Sequence, residues 1–190
     1  MIISLSGDPG SGKSTIAQML SEHFGWPRYY VGDMRRQKAK ERGMTLEEYN
    51  NLGETDPTTD TEVDEWQKNL GKKEDNFIIE GRTSWHFIPH SYKIFIKVDP
   101  KIGAERILGQ INKGKRRKEA RECETIEEVM AINKKRVASD DKRYGKFYNI
   151  DAFNLDNFDL ITDSSGQAKE ETFKAILDKI QPILSAERKN

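Results

Sequence analysis

The residues with the clearest chemical meaning lie close to the start of the sequence. One string there fits the pattern G-x-x-x-x-G-K-[ST] at every fixed position, and it reads Gly7-Asp8-Pro9-Gly10-Ser11-Gly12-Lys13-Ser14. Glycines in this pattern let successive backbone N–H groups turn towards a phosphate, and Lys13 can reach the β- and γ-phosphates of a nucleotide. The Ser14 hydroxyl is a Mg²⁺ ligand in such a loop, and Thr15 continues the helix whose positive end points at the anion. The string therefore predicts a phosphate-binding loop, or P-loop.

The flanking residues support this prediction. A short β-branched segment, Ile2-Ile3-Ser4-Leu5-Ser6, comes before the loop and predicts a buried strand. Apolar residues then recur at helical spacing up to Phe24, and Gly25 stands where a helix C-terminal cap belongs. A GTPase would also need N-K-x-D to read guanine, and the nearest string, Asn112-Lys113-Gly114-Lys115, lacks the carboxylate. The chain is short for a motor or transporter ATPase, which favours a compact kinase of small molecules.

Phosphoryl transfer between two polyanions requires several cations to converge on the phosphates. Arg36 follows the second predicted strand, and Arg82 follows the third directly. Both lie at strand carboxyl ends, where ligands bind in open α/β sheets. Arg136 and Arg143 are seven residues apart, so they share one face of a predicted helix.

Longer strings carry a specific resemblance. The succession GDPGSGKST, V-G-D-M-x-R and E-G-R resembles the nucleoside monophosphate kinase superfamily. Strings at 39–50 (AKERGMTLEEYN), 56–60 (DPTTD), 78–82 (IIEGR), 103–107 (GAERI) and 141–151 (DKRYGKFYNID) are similar to one branch, the archaeal-type (type 2) cytidylate kinases. The resemblance extends from residue 1 to about residue 180. It implies transfer of a phosphoryl group from Mg²⁺-ATP to a nucleoside monophosphate, CMP or dCMP above others.

The resemblance also implies roles for individual residues. Arg36, Gly81 and Arg82 would bind the acceptor, and Arg106 would lie against the donor adenine. Asp33 and Glu80 would hold Mg²⁺-bound waters, which suits an ion that prefers oxygen ligands and keeps much of its water. Arg136 and Arg143 would be lid arginines that bridge both phosphates in the transition state. The implied donor site comprises Gly7, Asp8, Pro9, Gly10, Ser11, Gly12, Lys13, Ser14, Thr15 and Arg106.

The sequence departs from related lids at one position. Such lids often carry a second arginine four residues after the first, but Gln110 stands there. The missing charge then comes from another basic residue of the lid, or the donor base is held differently. The candidates for that charge are Lys115, Arg116, Arg117 and Lys118.

Five short apolar segments separated by helical stretches must position these residues. They predict a parallel sheet covered by helices on both faces, a P-loop-type three-layer α/β/α fold. We expect one domain with a core at 1–33, 76–108 and 146–185, a helical insert for the monophosphate at about 34–75 and a lid at about 109–145. Within the insert, Thr45 and Glu48 form a capping-box signature, and Asp99-Pro100 predicts the start of the helix after the fourth strand.

Composition excludes several classes of protein. Thirty-two Lys and Arg balance thirty-two Asp and Glu, so the chain is no globally cationic nucleic-acid binder. Residues 45–75 hold ten acidic and three basic side chains, whereas Lys113 to Arg121 hold six basic and one acidic. With no apolar run of membrane-spanning length and no signal peptide, we expect a cytoplasmic monomer without membrane or nucleic-acid partners.

Alternatives to these assignments remain open at the level of sequence. The acceptor could be AMP, UMP or a small non-nucleotide alcohol, and the basic run at 113–121 would also suit an ATP-dependent RNA-binding module. His86 and His90 lack a third metal ligand nearby. The single cysteine, Cys123, is predicted in a charged helix with no chemical role. Trp85 closely follows the acceptor motif, and we expect it to pack in the core rather than stack on a base.

Overall fold

The computed structural model of the protein describes residues 1–114 and 123–187. At its centre lies a parallel sheet with the spatial order β2-β3-β1-β4-β5. Its strands are β1 (Ile2–Gly7), β2 (Arg28–Tyr30), β3 (Phe77–Glu80), β4 (Tyr92–Lys97) and β5 (Leu160–Asp163). The helices in the described ranges are α1 (Lys13–Phe24), α2 (Val31–Glu41), α3 (Leu46–Gly53), α4 (Thr58–Lys73), α5 (Ser84–Phe87), α6 (Pro100–Asn112), α7 (Ile126–Tyr148) and α8 (Lys169–Glu187).

The central strands β1 and β3 are buried on both faces, as strands of a parallel sheet covered by helices are. On one face Ile3 and Leu5 of β1 pack against apolar side chains of α1 and α8. On the other face Ile2 of β1 packs with Val63 and Leu70 of α4. The predicted three-layer α/β/α fold with five parallel strands is therefore confirmed.

The strand order decides where a ligand can bind. β1 lies between β3 and β4, so the P-loop after β1 and the segment after β3 emerge side by side at the carboxyl edge of the sheet. Residues 34–75 supply most of α2 together with α3 and α4. α6 and α7 flank the stretch that contains most of the basic run at 113–121, and its residues 115–121 lie outside the described residues.

Local signals near the helix ends are largely confirmed. The Thr45 hydroxyl accepts from the Glu48 N–H, and the Glu48 carboxylate accepts from the Thr45 N–H, so the capping box is present. The Asp99 carboxylate accepts from the first N–H groups of α6, with Pro100 at its first position. α2 begins at Val31, directly after β2 ends at Tyr30.

One local prediction is wrong. Cys123 is not helical: it precedes α7 and is buried beside Ala104 and Ile107 of α6 and Val129 of α7. The surrounding charges suggested a solvated helix, but burial between two helices suits a small apolar side chain such as cysteine. Within the described ranges, no helix combines the length and the apolar character that crossing a membrane would need.

Candidate active site

The P-loop is held by glycines in conformations that other residues adopt with strain. Gly10 and Gly12 have φ of 84° and 85°, in the left-handed region. A Cβ at Gly10 would also lie 2.2 Å from the Gly103 carbonyl oxygen, so α6 supports the loop from below. Gly12 precedes α1 without a side-chain cap, and its carbonyl accepts from the N–H groups of Thr15 and Ile16, so the positive end of the helix dipole lies at the loop.

The side chains at the start of α1 are open to solvent. Ser14 and Thr15 are exposed, and Lys13 is half-buried. Asp8 points the other way, where its carboxylate accepts from the Val98 N–H at 3.0 Å. Burial raises the pKa of Asp8, and that hydrogen bond and the charges of Lys13 and Arg82 oppose the rise.

Arg106 of α6 lies against the loop that follows β5. Its guanidinium donates to the Ser164 carbonyl at 2.6 Å and to the Ser164 hydroxyl at 3.1 Å. That hydroxyl also lies 3.0 Å from the carbonyls of Ser11 in the P-loop and Lys97 at the end of β4. Ser164 thus joins three segments of the donor side. Sequence reasoning missed it, although a serine-glycine loop after the last strand was the available signal.

The acceptor motifs place two arginines at the same edge of the sheet. Arg36 in α2 pairs with Asp33 at 3.1 Å, and its guanidinium lies over the Tyr30 ring at 5.2 Å. Arg82 follows β3, lies over the Phe153 ring at 5.3 Å and forms an ion pair with Asp140.

Gly81 fixes the direction in which Arg82 leaves the sheet. Its N–H donates to the Leu5 carbonyl and its own carbonyl accepts from the Ser6 hydroxyl at 2.6 Å, so both groups bond to β1. A Cβ at position 81 would lie 2.2 Å from the Ser84 hydroxyl oxygen. A side chain at position 81 would therefore collide with its neighbours, and glycine avoids this.

Oxygen groups that could serve a cation lie near the phosphate site. Glu80 is fully buried: one carboxylate oxygen accepts from Arg28 Nε at 2.5 Å, and the other has no hydrogen-bond partner among the described residues. Asp33 is about half exposed, and the Ser14 hydroxyl is open. The described ranges contain no cluster of three or more His, Cys, Asp or Glu suited to a metal. This set fits a cation held chiefly by nucleotide phosphates and water.

The two lid arginines occupy different environments on α7. Arg136 is exposed, whereas Arg143 is only 1% exposed. Arg143 Nη1 donates to both carboxylate oxygens of Asp60, at 2.7 and 2.9 Å, and Nη2 pairs with Asp140. In this arrangement Arg143 faces protein carboxylates rather than an open cleft. The candidate lid residues Lys115, Arg116, Arg117 and Lys118 lie outside the described residues.

A buried polar cluster beside the acceptor segment was also missed. Asp64 of α4 accepts from the Tyr148 hydroxyl and, at 3.1 Å, from the Gln67 amide. The Ser84 hydroxyl, two residues after Arg82, donates to the Gln67 amide oxygen at 2.7 Å. Burial raises the pKa of Asp64 to about 7. Nothing in a helical pattern of charged residues indicated which of them would be buried.

The remaining residues that the sequence singled out are Trp85, His86 and His90. Trp85 is buried with Phe95 and Phe158, so it packs in the core as expected. His86 is half-buried in α5, whereas His90 is exposed beyond the end of that helix.

Comparisons with known proteins agree with this geometry. A family model described as an AAA domain matches residues 3–127. A cytidylate kinase of Methanococcoides burtonii is 36% identical over 165 residues, which are 87% of this chain and 88% of that protein. A cytidylate kinase of Pyrococcus furiosus is 36% identical over 187 residues, 96% of this chain and 91% of that protein. The solved structure of a shikimate kinase from Bacteroides thetaiotaomicron matches with a TM-score of 0.63 at 13% identity, covering 97% of this chain and 98% of that one, a likeness of fold alone.

Proposed function

The chain belongs to the archaeal-type cytidylate kinase family of nucleoside monophosphate kinases, and on this premise we propose that it transfers the γ-phosphoryl group of ATP to CMP or dCMP. The observation that carries this proposal is that the P-loop and Arg82 lie beside each other in the fold. The two follow neighbouring parallel strands, β1 and β3, at the carboxyl edge of the sheet. A donor phosphate on the loop and an acceptor phosphate on Arg82 would meet there.

The reaction needs no covalent enzyme intermediate. An acceptor phosphate oxygen attacks the γ-phosphorus in line, a new P–O bond forms, and the bond between the γ-phosphorus and the β–γ bridging oxygen breaks to release ADP. Lys13 and the N-terminal end of α1 neutralise the transferring group from the donor side, and Arg36 and Arg82 do so from the acceptor side. Arg106 and the Ser164 loop hold the donor base.

Mg²⁺ is the cation that the Ser14, Asp33 and Glu80 oxygens fit, and when bound it neutralises charge on the donor phosphates. Ser14 would ligate it directly, and the two carboxylates would hold its waters. Glu80 supports this assignment because its second carboxylate oxygen is buried without a partner among the described residues.

The insert at 34–75 and the lid at 109–145 close over both substrates in this proposal, because water near a bound ATP would otherwise accept the phosphoryl group. The exposed Arg136 on α7 is suited to reach phosphates on closure.

ADP release measured with CMP, dCMP, UMP, AMP and GMP tests the proposal. We expect the highest kcat/KM with CMP or dCMP. A higher value with AMP or UMP would refute the cytidylate assignment and leave a nucleoside monophosphate kinase, whereas stimulation by RNA without response to any monophosphate would refute both.

Two variants test the site itself. Lys13→Ala should abolish transfer, and activity near the wild-type rate would refute the role of the P-loop. Arg82→Ala should raise the acceptor KM, lower kcat or both, with ATP binding largely intact. Unchanged acceptor kinetics would remove Arg82 from the site.

A further inference from the structure

Five charged side chains from four segments form one continuous chain of ion pairs. Each link joins an arginine to a carboxylate, and the chain ends at the arginine that follows β3. In order, the members are Arg35 of α2, Asp60 of α4, Arg143 and Asp140 of α7, and Arg82. The first four lie on helices α2, α4 and α7, and the last, Arg82, belongs to the acceptor motif that follows β3.

The chain is most deeply buried at its Asp60–Arg143 pair, and the Arg35 side chain beyond Asp60 is 10% exposed. The side chains of Asp60 and Arg143 are each 2% exposed, that of Asp140 is 14% exposed and that of Arg82 is 19% exposed. Arg35 is further fixed by Asn50, whose side-chain oxygen accepts from it at 3.0 Å. A buried charge without its partner is strongly unfavourable, so Asp60 and Arg143 hold each other in place. In this structure the position of Arg143 is therefore set by its pairs with Asp60 and Asp140.

Asp140 connects Arg143 to Arg82. One of its oxygens pairs with Nη2 of Arg143, and the other pairs with Nη1 of Arg82. Arg82 Nη1 is buried without a hydrogen-bond partner among the described residues, so its contact with Asp140 is an ion pair and the N–H donors of the guanidinium remain for a substrate phosphate. The Phe153 ring supplies a further contact with the guanidinium.

We propose that Asp140 is a positioning residue of the phosphoryl transfer, which orients Arg82 for the acceptor phosphate by anchoring it to the buried Arg143–Asp60 pair. This inference rests on the proposed function, since it concerns the same reaction. Arg143 contributes to this orientation through Asp140, which contacts both arginines. Orientation of Arg82 governs the geometry of the transition state, whereas the negative charge of Asp140 slightly opposes binding of another anion.

These two effects predict that Asp140→Asn lowers kcat without raising the KM for CMP. An asparagine has one acceptor oxygen, so it can hold only one of the two arginines. We expect kcat to fall roughly 10- to 100-fold, as misplacement of a catalytic group does. The KM for CMP should stay unchanged or decrease because a repulsive charge is removed, and Asp140→Glu should restore part of kcat. The matched control is Asp141→Asn, which removes the same charge from the exposed neighbouring position.

A second variant covers the case in which Asp140→Asn does not fold. Arg143→Lys keeps the charge but removes the planar fork, and it should lower kcat in the same way. Where both variants fold, as judged by unfolding temperature, the double variant should be no slower than the slower single variant, because both break one chain. Wild-type kcat in either variant, an equal loss in Asp141→Asn, a rise in the KM for CMP without loss of kcat, or multiplying effects in the double variant would overturn the inference.

An observation independent of activity separates this inference from the proposed function. The guanidinium N–H resonances of Arg82 should be resolved and slow to exchange in the wild type and in Asp141→Asn, and lost in Asp140→Asn or Arg143→Lys. Their persistence in those variants would refute the positioning role. A wild-type protein that phosphorylates no monophosphate would refute the function and leave the resonance difference standing.

Discussion

At the scale of single residues, Asp64 is a buried carboxylate whose pKa is raised well above its ordinary value. It is buried between α4 and α7, and the nearby charges are Asp60 and Lys68 on its own helix and Arg35 on α2. Burial raises its pKa from 3.8 to about 7, the charge of Asp60 adds to the rise, and the Tyr148 hydrogen bond opposes it. The folded protein therefore holds a proton on Asp64 at pH values where the unfolded chain has released it.

This proton predicts a dependence of stability on pH. Between about pH 4 and pH 7 the folded state binds one proton more than the unfolded state at Asp64, so the free energy of unfolding decreases as the pH rises. One proton corresponds to a slope of roughly 1.4 kcal/mol per pH unit. Asp64→Asn removes this contribution, and its unfolding free energy should decline less steeply over that range in urea titrations at pH 5, 6 and 7.

The control for this measurement is Glu65→Gln, an exposed carboxylate on the same helix whose pKa is lowered by a hydrogen bond from Lys68. That variant should keep the wild-type slope or steepen it, because its carboxylate contributes in the opposite direction. Other groups with raised pKa, such as Asp8 and Asp141, remain in all variants and cancel in the comparison. Parallel curves for the wild type and Asp64→Asn would show that Asp64 is ionised throughout.

At the scale of elements, α6 and the P-loop approach each other so closely that a side chain at Gly103 has no room. Gly103 lies in the first turns of α6, and a Cβ there would be 2.5 Å from the Pro9 carbonyl oxygen. Real Cβ atoms do not approach an oxygen so closely, so the helix and the loop can lie at this distance only with glycine. The same helix carries Arg106.

Gly103→Ala should therefore disturb the donor site more than a helix substitution normally does. Overpacking of this kind costs about 1–3 kcal/mol, and for a chain of this length each kcal/mol lowers the unfolding temperature by roughly 2–4 °C. We expect that decrease together with a higher KM for ATP, because the P-loop must shift. The acceptor KM should change less.

Gly109→Ala supplies the matched control in the same helix. A Cβ at Gly109 meets nothing within 4 Å, so alanine there should stabilise the helix by about 1 kcal/mol and leave the KM for ATP unchanged. An equal effect of the two substitutions on the KM for ATP would contradict the close contact between α6 and the loop.

Elements and caps were predictable because their signals are local. The pattern of the P-loop, the capping box at Thr45 and Asp99-Pro100 each act over a few residues, and the structure contains all of them. Pairing of buried charges was not predictable in the same way. Arg143 and Asp60 are 83 residues apart, and in sequence both look like members of solvated, charged helices. Only the packing of α4 against α7 shows that they meet.

At the scale of the whole molecule, a formal net charge of zero conceals charges that are unevenly placed. The acidic surplus lies at 45–75, which covers α3 and α4, while Lys13 and Arg82 follow neighbouring strands at the carboxyl edge of the sheet. Because the net charge is zero, salt has little overall repulsion to screen in the folded state. Local attraction for a phosphate, in contrast, is screened over a Debye length of about 10 Å at 0.1 M salt and about 3 Å at 1 M.

This contrast predicts that salt weakens the binding of CMP and leaves the stability of the fold nearly unchanged. Raising NaCl from about 20 mM to about 500 mM should increase the KM for CMP several-fold, since Arg36 and Arg82 attract its phosphate partly through solvent. The unfolding temperature should change little over the same range. In Arg36→Gln the KM for CMP should start higher and rise less steeply with salt, because one cation fewer faces the phosphate. A salt dependence identical to that of the wild type would place Arg36 outside the acceptor phosphate site, and a large shift in unfolding temperature would show that salt acts on the fold rather than on the cleft.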